Sequence, residues 1–131
     1  MKITNNFTLT ELTTTSTGLT NKPNKQEIAA LITLCGEVLQ PARDIFGEAI
    51  HVNSGFRSHA VNRAVGGAKN SQHLLGEAAD ITALSRKGNK KLFEIIRDNL
   101  SFDQLINEQN FSWIHVSYKS KEENRKQVLH L

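Results

Sequence analysis

The decapeptide SQHLLGEAAD, residues 71–80, sets His73 and Asp80 seven positions apart with Gly76 between them. Imidazole nitrogen and carboxylate oxygen are both zinc donors, and a hydrolytic zinc site takes three protein ligands and keeps a fourth position open. Asp80 lies in an apolar run with Ala78, Ala79 and Ile81. Buried there without a partner, a carboxylate is costly, so it calls for a cation. WIHVSY, residues 113–118, offers a third donor in His115, with Ile114 and Val116 directed to the opposite face of an extended segment. On spacing alone two readings stand: a His73, Asp80, His115 metal set, or a buried segment with a capped end. His51, His59 and His130 have no acidic or metal-type neighbours and read as structural or surface residues.

Several elements must position these residues. NFTLTEL opens with a turn and a short helix start, and residues 13–24 form a polar loop containing Pro23. Asn24 caps a helix with Glu27 as capping-box partner. Apolar residues then recur at helical spacing from Ile28 to Phe46. Pro41 falls inside that pattern and should kink or divide it, and Gly47 should end it. Residues 49–57 read as a strand, 58–68 as a short helix ended by Gly66-Gly67, 76–84 as a strand and 88–100 as an amphipathic helix. Residues 102–108 and 112–119 read as two strands of a hairpin. The expected fold is α+β: one domain over residues 1–131, with helices packed on a mostly antiparallel sheet.

Composition narrows the partners. The chain has 131 residues with 38% hydrophobic and 22% charged content, an ordinary globular balance that one domain can satisfy. Net charge is +3, and the pI is about 9.2. That charge suits a polyanion such as an anionic cell wall. No basic stripe interleaved with aromatics favours nucleic acid. No apolar run is long enough to span a membrane, and the N-terminus has no apolar core of a secretory signal. The run KSKEENRK, residues 119–126, has mixed sign and reads as a solvated face. The single cysteine, Cys35, has no partner for an internal disulfide, sits without an adjacent base, and reads as core of a protein made in a reducing compartment.

SGFRSHAVNRAVGGAKNSQHLLGEAADI followed by WIHVSY resembles the zinc D-alanyl-D-alanine carboxypeptidase family, which shares its fold with the hedgehog N-terminal domain. The likeness is to its branch of small phage and bacterial peptidoglycan peptidases, and it extends to NFTLTEL and VLQPARDIFG. The resemblance implies zinc as cofactor, with His73, Asp80 and His115 as ligands. It implies a peptidoglycan stem peptide as substrate, cut at a D-Ala-D-Ala or an L-Ala-D-Glu type bond. It also implies an acidic base before the last histidine. Some relatives place that base three residues earlier, where this chain has Ser112, so the base falls to Glu108, with Asp103 in reserve. Some relatives carry a histidine two residues before the last ligand, where this chain has Trp113, able to pack over the substrate.

Arg57, in SGFRS, is the expected donor to a substrate carboxylate or the scissile carbonyl, standing at the mouth of the cleft. Ser54, Ser71 and Trp113 join it on the substrate side, with Asn62 a weaker candidate. Ser71 and Gln72 are close enough in sequence to orient the ligands. The expected setting is a monomer made in the cytoplasm without a leader, acting on the wall, as a phage lysis or tail protein would. The competing reading is a zinc-binding module of the same fold that performs no catalysis.

Overall fold

A computed structural model describes residues 1–131. A short ribbon, β1 (Lys2–Thr4) and β2 (Phe7–Thr8), leads into α1 (Leu9–Thr13). Then come α2 (Lys25–Leu34), α3 (Gln40–Phe46), β3 (His51–Ser54) and α4 (His59–Ala64). A single 3₁₀ turn, Gln72–Leu75, precedes β4 (Ala78–Thr82). The remainder is α5 (Arg86–Asn99), β5 (Gln104–Glu108), β6 (Trp113–Ser117) and β7 (Gln127–His130). The main sheet has the order β3-β4-β6-β5-β7. Its first three pairings are antiparallel and β7 joins β5 in parallel. This is the expected α+β arrangement.

Alternation along the strands divides the sheet into two faces. Val52, Ala79, Ile81, Leu105, Ile114 and Val116 enter a single cluster of 22 buried residues. Leu31, Leu34, Leu39, Phe46, Leu92, Phe93 and Ile96 of the helices close that cluster from the other side. Each such side chain contributes on the order of 1.5–3 kcal/mol of burial. With one face committed to the core, a register slip of one residue would turn it to water, so the register is strongly specified. The opposite face then carries a polar row fixed by pairing: Ser54 opposite Asp80, Asp80 opposite His115, and His115 opposite Ile106.

Three features differ from the expectation. The irregularity in the 25–46 helical stretch does not begin at Pro41. It is a π-helical turn, Cys35–Leu39, in which the Gln40 N–H reaches back to the Cys35 carbonyl. The wider turn lies where the proline ring would otherwise meet the carbonyl four residues earlier, and Pro41 then sits in the first turn of α3, where its missing N–H costs little. The N-terminal ribbon and β7 were not legible as strands. β7 is short, half-buried and at an edge, so its pattern carries little period. Finally, 119–126 is not solely a solvated face, because Arg125 binds a buried carboxylate, as described below.

The β5–β6 hairpin is held unusually. Gln109, Asn110 and Phe111 all have positive φ, at 51°, 54° and 60°. Asn107 Oδ1 accepts from the Phe111 N–H at 2.6 Å, and the buried Asn89 of α5 donates to the Phe111 carbonyl at 2.8 Å. These amides offset the strain of three left-handed residues, and they set Glu108 opposite Trp113.

Candidate metal centre

The three donors predicted from sequence converge. The 3₁₀ turn presents His73, the middle of β4 presents Asp80, and the middle of β6 presents His115. One donor atom from each lies within 4.8 Å of the others. Asp80 Oδ1 is 3.4 Å from His73 Nε2 and 3.0 Å from His115 Nδ1. Donors bound tetrahedrally to one zinc at about 2.0–2.1 Å sit roughly 3.3 Å from one another, so these separations fit a shared ion.

Local chemistry also favours a cation there. His73 Nδ1 lies 2.7 Å from the Gly55 carbonyl, which only accepts, so Nδ1 carries the proton. In a neutral imidazole Nε2 then turns a lone pair toward the Asp80 carboxylate. Two lone pairs facing each other at hydrogen-bond distance call for a positive species between them, a proton or a metal ion. The Gly55 carbonyl fixes the ring in the tautomer a ligand needs. The backbone reinforces this: Arg57 N–H donates to the His73 carbonyl at 3.0 Å, and Ser71 Oγ accepts from the His73 N–H at 3.2 Å. Ser71 thus has the orienting part expected of it, whereas the Gln72 amide points to Glu77 at 3.2 Å.

Gly76 accounts for the spacing of the motif. Its φ is +74°, and a Cβ there would stand 2.5 Å from the Glu27 carbonyl. The residue must therefore turn left-handed and also let the chain pass close under α2, and glycine alone does both without strain. Between them the 3₁₀ turn and Gly76 reverse the chain from His73 into β4.

Arg57 is placed differently from the free donor expected at the cleft mouth. Its side chain is only 16% exposed, and Nη2 lies 3.3 Å from Asp80 Oδ2, the oxygen turned away from the histidines. Nε donates to Ser54 Oγ at 3.1 Å, and Nη1 to Asn62 Oδ1 at 3.4 Å. Ser54 and Asn62 are therefore engaged in holding Arg57. The sequence distance of 23 residues between Arg57 and Asp80 hid this contact. A side chain at Gly67 would collide with the Asn62 amide, which explains the second glycine of Gly66-Gly67. Burial would raise the Asp80 carboxyl, but hydrogen bonds and charge from His115 and His73 outweigh it and hold the group well below the usual carboxylate range.

A cleft of about 350 Å³ opens on this side of the sheet, lined by Ser71, Gln72, Gln104, Ile106, Glu108, His115 and neighbours. Glu108 and Trp113 face each other across β5 and β6, on the same side as His115. Burial raises the Glu108 carboxyl above its ordinary value, helped by the Asp80 charge and opposed by His115. Asp103, the reserve base, is engaged elsewhere. It is fully buried and accepts from Arg125 through the backbone N–H, Nε and Nη2 at 2.9, 3.0 and 2.8 Å. Arg125, ahead of the residual burial penalty, lowers its pKa to about 2. A carboxylate so held ties the C-terminal segment to β5 and has little affinity for a proton. His51, His59 and His130 lie outside the donor cluster. Cys35 is core, and burial, with a smaller push from Glu11, raises its thiol to about 12.

Comparison with known proteins agrees with this geometry. The zinc D-Ala-D-Ala carboxypeptidase of Streptomyces albus G is 48% identical over 58 residues, 44% of this chain. The aligned part is 22% of that relative's own length. Residues 5–117, which include all three donors, Arg57 and Glu108, match Peptidase M15, and the chain belongs to that family.

Proposed function

We propose that this protein is a zinc metallopeptidase that cleaves peptidoglycan stem peptides, with His73, Asp80 and His115 as the metal ligands and Glu108 as the base. The observation that carries the reading is a three-donor cluster one member of which, His115, lines the same cleft as the acidic Glu108. The cluster has three members, which leaves a position for water and substrate, and this favours hydrolysis over a closed structural site. Family membership and the carboxypeptidase similarity point to the same chemistry.

When bound, zinc supplies a Lewis acid that polarises the scissile carbonyl and eases ionisation of the attacking water. Glu108 takes the proton from that water and delivers it to the leaving amine. Its raised pKa suits both halves of the task, because the proton is accepted and then returned. Arg57 holds Asp80 Oδ2 and so fixes how that carboxylate is turned, and its guanidinium protons not directed at Ser54, Asn62 and Asp80 are the donors available to the developing charge on the carbonyl oxygen. Trp113 covers the substrate on the Glu108 side of the cleft. The basic surface draws the protein to an anionic wall.

Digestion of purified cell wall, followed by mass identification of the fragments, tests the reading. New amino and carboxyl termini within the stem peptide, abolished by a chelator and restored by zinc, are expected. Absence of any cut peptide from metal-loaded protein would overturn it.

A further inference from the structure

Arg125 lies beyond the family-matched residues 5–117, yet it lines the same cleft as Glu108 and His115. Its setting is built. The backbone N–H, Nε and Nη2 all donate to Asp103, whose side chain has no exposure, while the Arg125 side chain is 50% exposed. One edge of the guanidinium is therefore fixed on a buried anion, and Nη1, with no protein partner, is left facing solvent. A surface ion pair made only for stability would place its arginine anywhere on the rim; this one holds its free donors at the cleft. Gln104, next to Asp103, and Gln72 line the same end.

On the reading given above, we propose that Arg125 is a substrate-binding residue that grips a free carboxylate of the stem peptide and so selects which peptide is cut. The position sets the register. Asp103, just ahead of β5, precedes Ile106, the partner of His115, by three residues, roughly 10 Å of extended chain. An extended peptide advances about 3.3–3.6 Å per residue. The carboxylate recognised by Arg125 thus belongs two to three residues from the scissile bond. It is not the terminal carboxylate of a single departing residue, which lies one residue away. The choice is between a stem peptide with an acidic group beyond the cut and one whose acidic group is amidated.

The test uses full-length, zinc-loaded protein and two synthetic stem peptides identical except that this carboxylate is free or amidated. Wild type should prefer the free acid by roughly tenfold to hundredfold in kcat/KM, carried mainly by KM. Arg125→Gln should lose the preference and cut both peptides at the rate of the amidated one. If Arg125→Gln lowers both rates in proportion, the arginine only braces the fold and the proposal is overturned. Removal of Arg125 leaves Asp103 buried and unpaired, so the double variant Asp103→Asn, Arg125→Gln provides a neutral pair with the same shape, and it too should lose the preference. Calorimetric binding of the two peptides separates this proposal from the peptidase reading. Wild-type protein that binds the free acid tenfold or more tightly, and cuts neither, keeps the carboxylate grip and overturns the catalysis; equal binding of both peptides overturns the grip.

Discussion

Glu108→Gln is the substitution that separates a metal-binding module from an enzyme. The change keeps the volume and the polar end of the side chain but removes its basicity. Glu108 sits two pairs along from the Ile106–His115 pair, which returns it to the cleft face. Diagonal neighbours on adjacent strands lie within reach of long side chains, so on the proposed reading its carboxylate serves a water placed at the three donors. Loss of a general base lowers rates by about 10² to 10⁴. At 1.36 kcal/mol per decade this is about 2.7–5.4 kcal/mol of transition-state stabilisation. The variant should bind zinc at the wild-type level and lose that factor in kcat, measured by release of new amino groups from purified stem peptide. Any acid limb that Glu108 gives the wild-type pH profile should disappear from the residual activity.

Stability should move the other way. Burial raises the Glu108 pKa above its ordinary value of 4.5, ahead of the opposing pull of His115. A carboxyl with a raised folded-state pKa stabilises the fold fully below its unfolded value, and that contribution is lost as pH rises through the folded value. At neutral pH the ionised group is therefore unfavourable in the metal-free protein. There, Glu108→Gln should leave the thermal midpoint unchanged or higher. Near-native activity in Glu108→Gln, or a lowered midpoint that accounts for the lost rate, would refute the assignment of Glu108 as base.

Three further outcomes follow from the same geometry. His73→Ala and His115→Ala each remove one of three donors and should reduce bound zinc, read by elemental analysis, from one per chain to a small fraction; full occupancy in either variant would reject the ligand set. Arg57→Ala removes the cation on Asp80 Oδ2 and the tether to Ser54, and it should weaken zinc binding about tenfold to hundredfold, the usual effect of losing a group that orients a ligand; unchanged affinity in a competition titration would show that Arg57 acts on substrate alone. Arg125→Ala should destabilise more than Asp103→Asn, because the first leaves a buried charge unpaired and the second does not. For Asp103 itself, a pKa lowered to about 2 by Arg125 means a contribution present above pH 3.8 and lost as pH falls toward 2, so acid unfolding of Asp103→Asn should begin no earlier than that of Arg125→Ala; the reverse order would refute the pairing.

What could be read from the chain, and what could not, divides along a physical line. His73, Gly76, Asp80 and His115 were visible as candidates because part of their signal is local (donor types, a glycine between them, and apolar neighbours that make a carboxylate costly), and the family resemblance chose the metal set over the capped-end reading. The strand period placed His115 opposite the core-facing Ile114 and Val116, and the register then paired it with Asp80. Arg57 was visible as a residue but not as a contact. Its partner Asp80 lies 23 positions away, and the loop that carries it is steered by the backbone bond to the His73 carbonyl, which no side chain in the sequence reports. The pairing of Asp103 was hidden for the same reason. As an isolated aspartate near a hairpin it competed with Glu108, and only the return of residues 118–131 along β5 brings Arg125 against it. That return also brings Arg125, from a charge run of mixed sign, to the cleft. The donor cluster is built from residues whose types and spacing a sequence shows. The proposed roles of Glu108 and Arg125 rest instead on which distant charge folds back onto which carboxylate, and the parallel pairing of β7 with β5 brings Arg125 to Asp103.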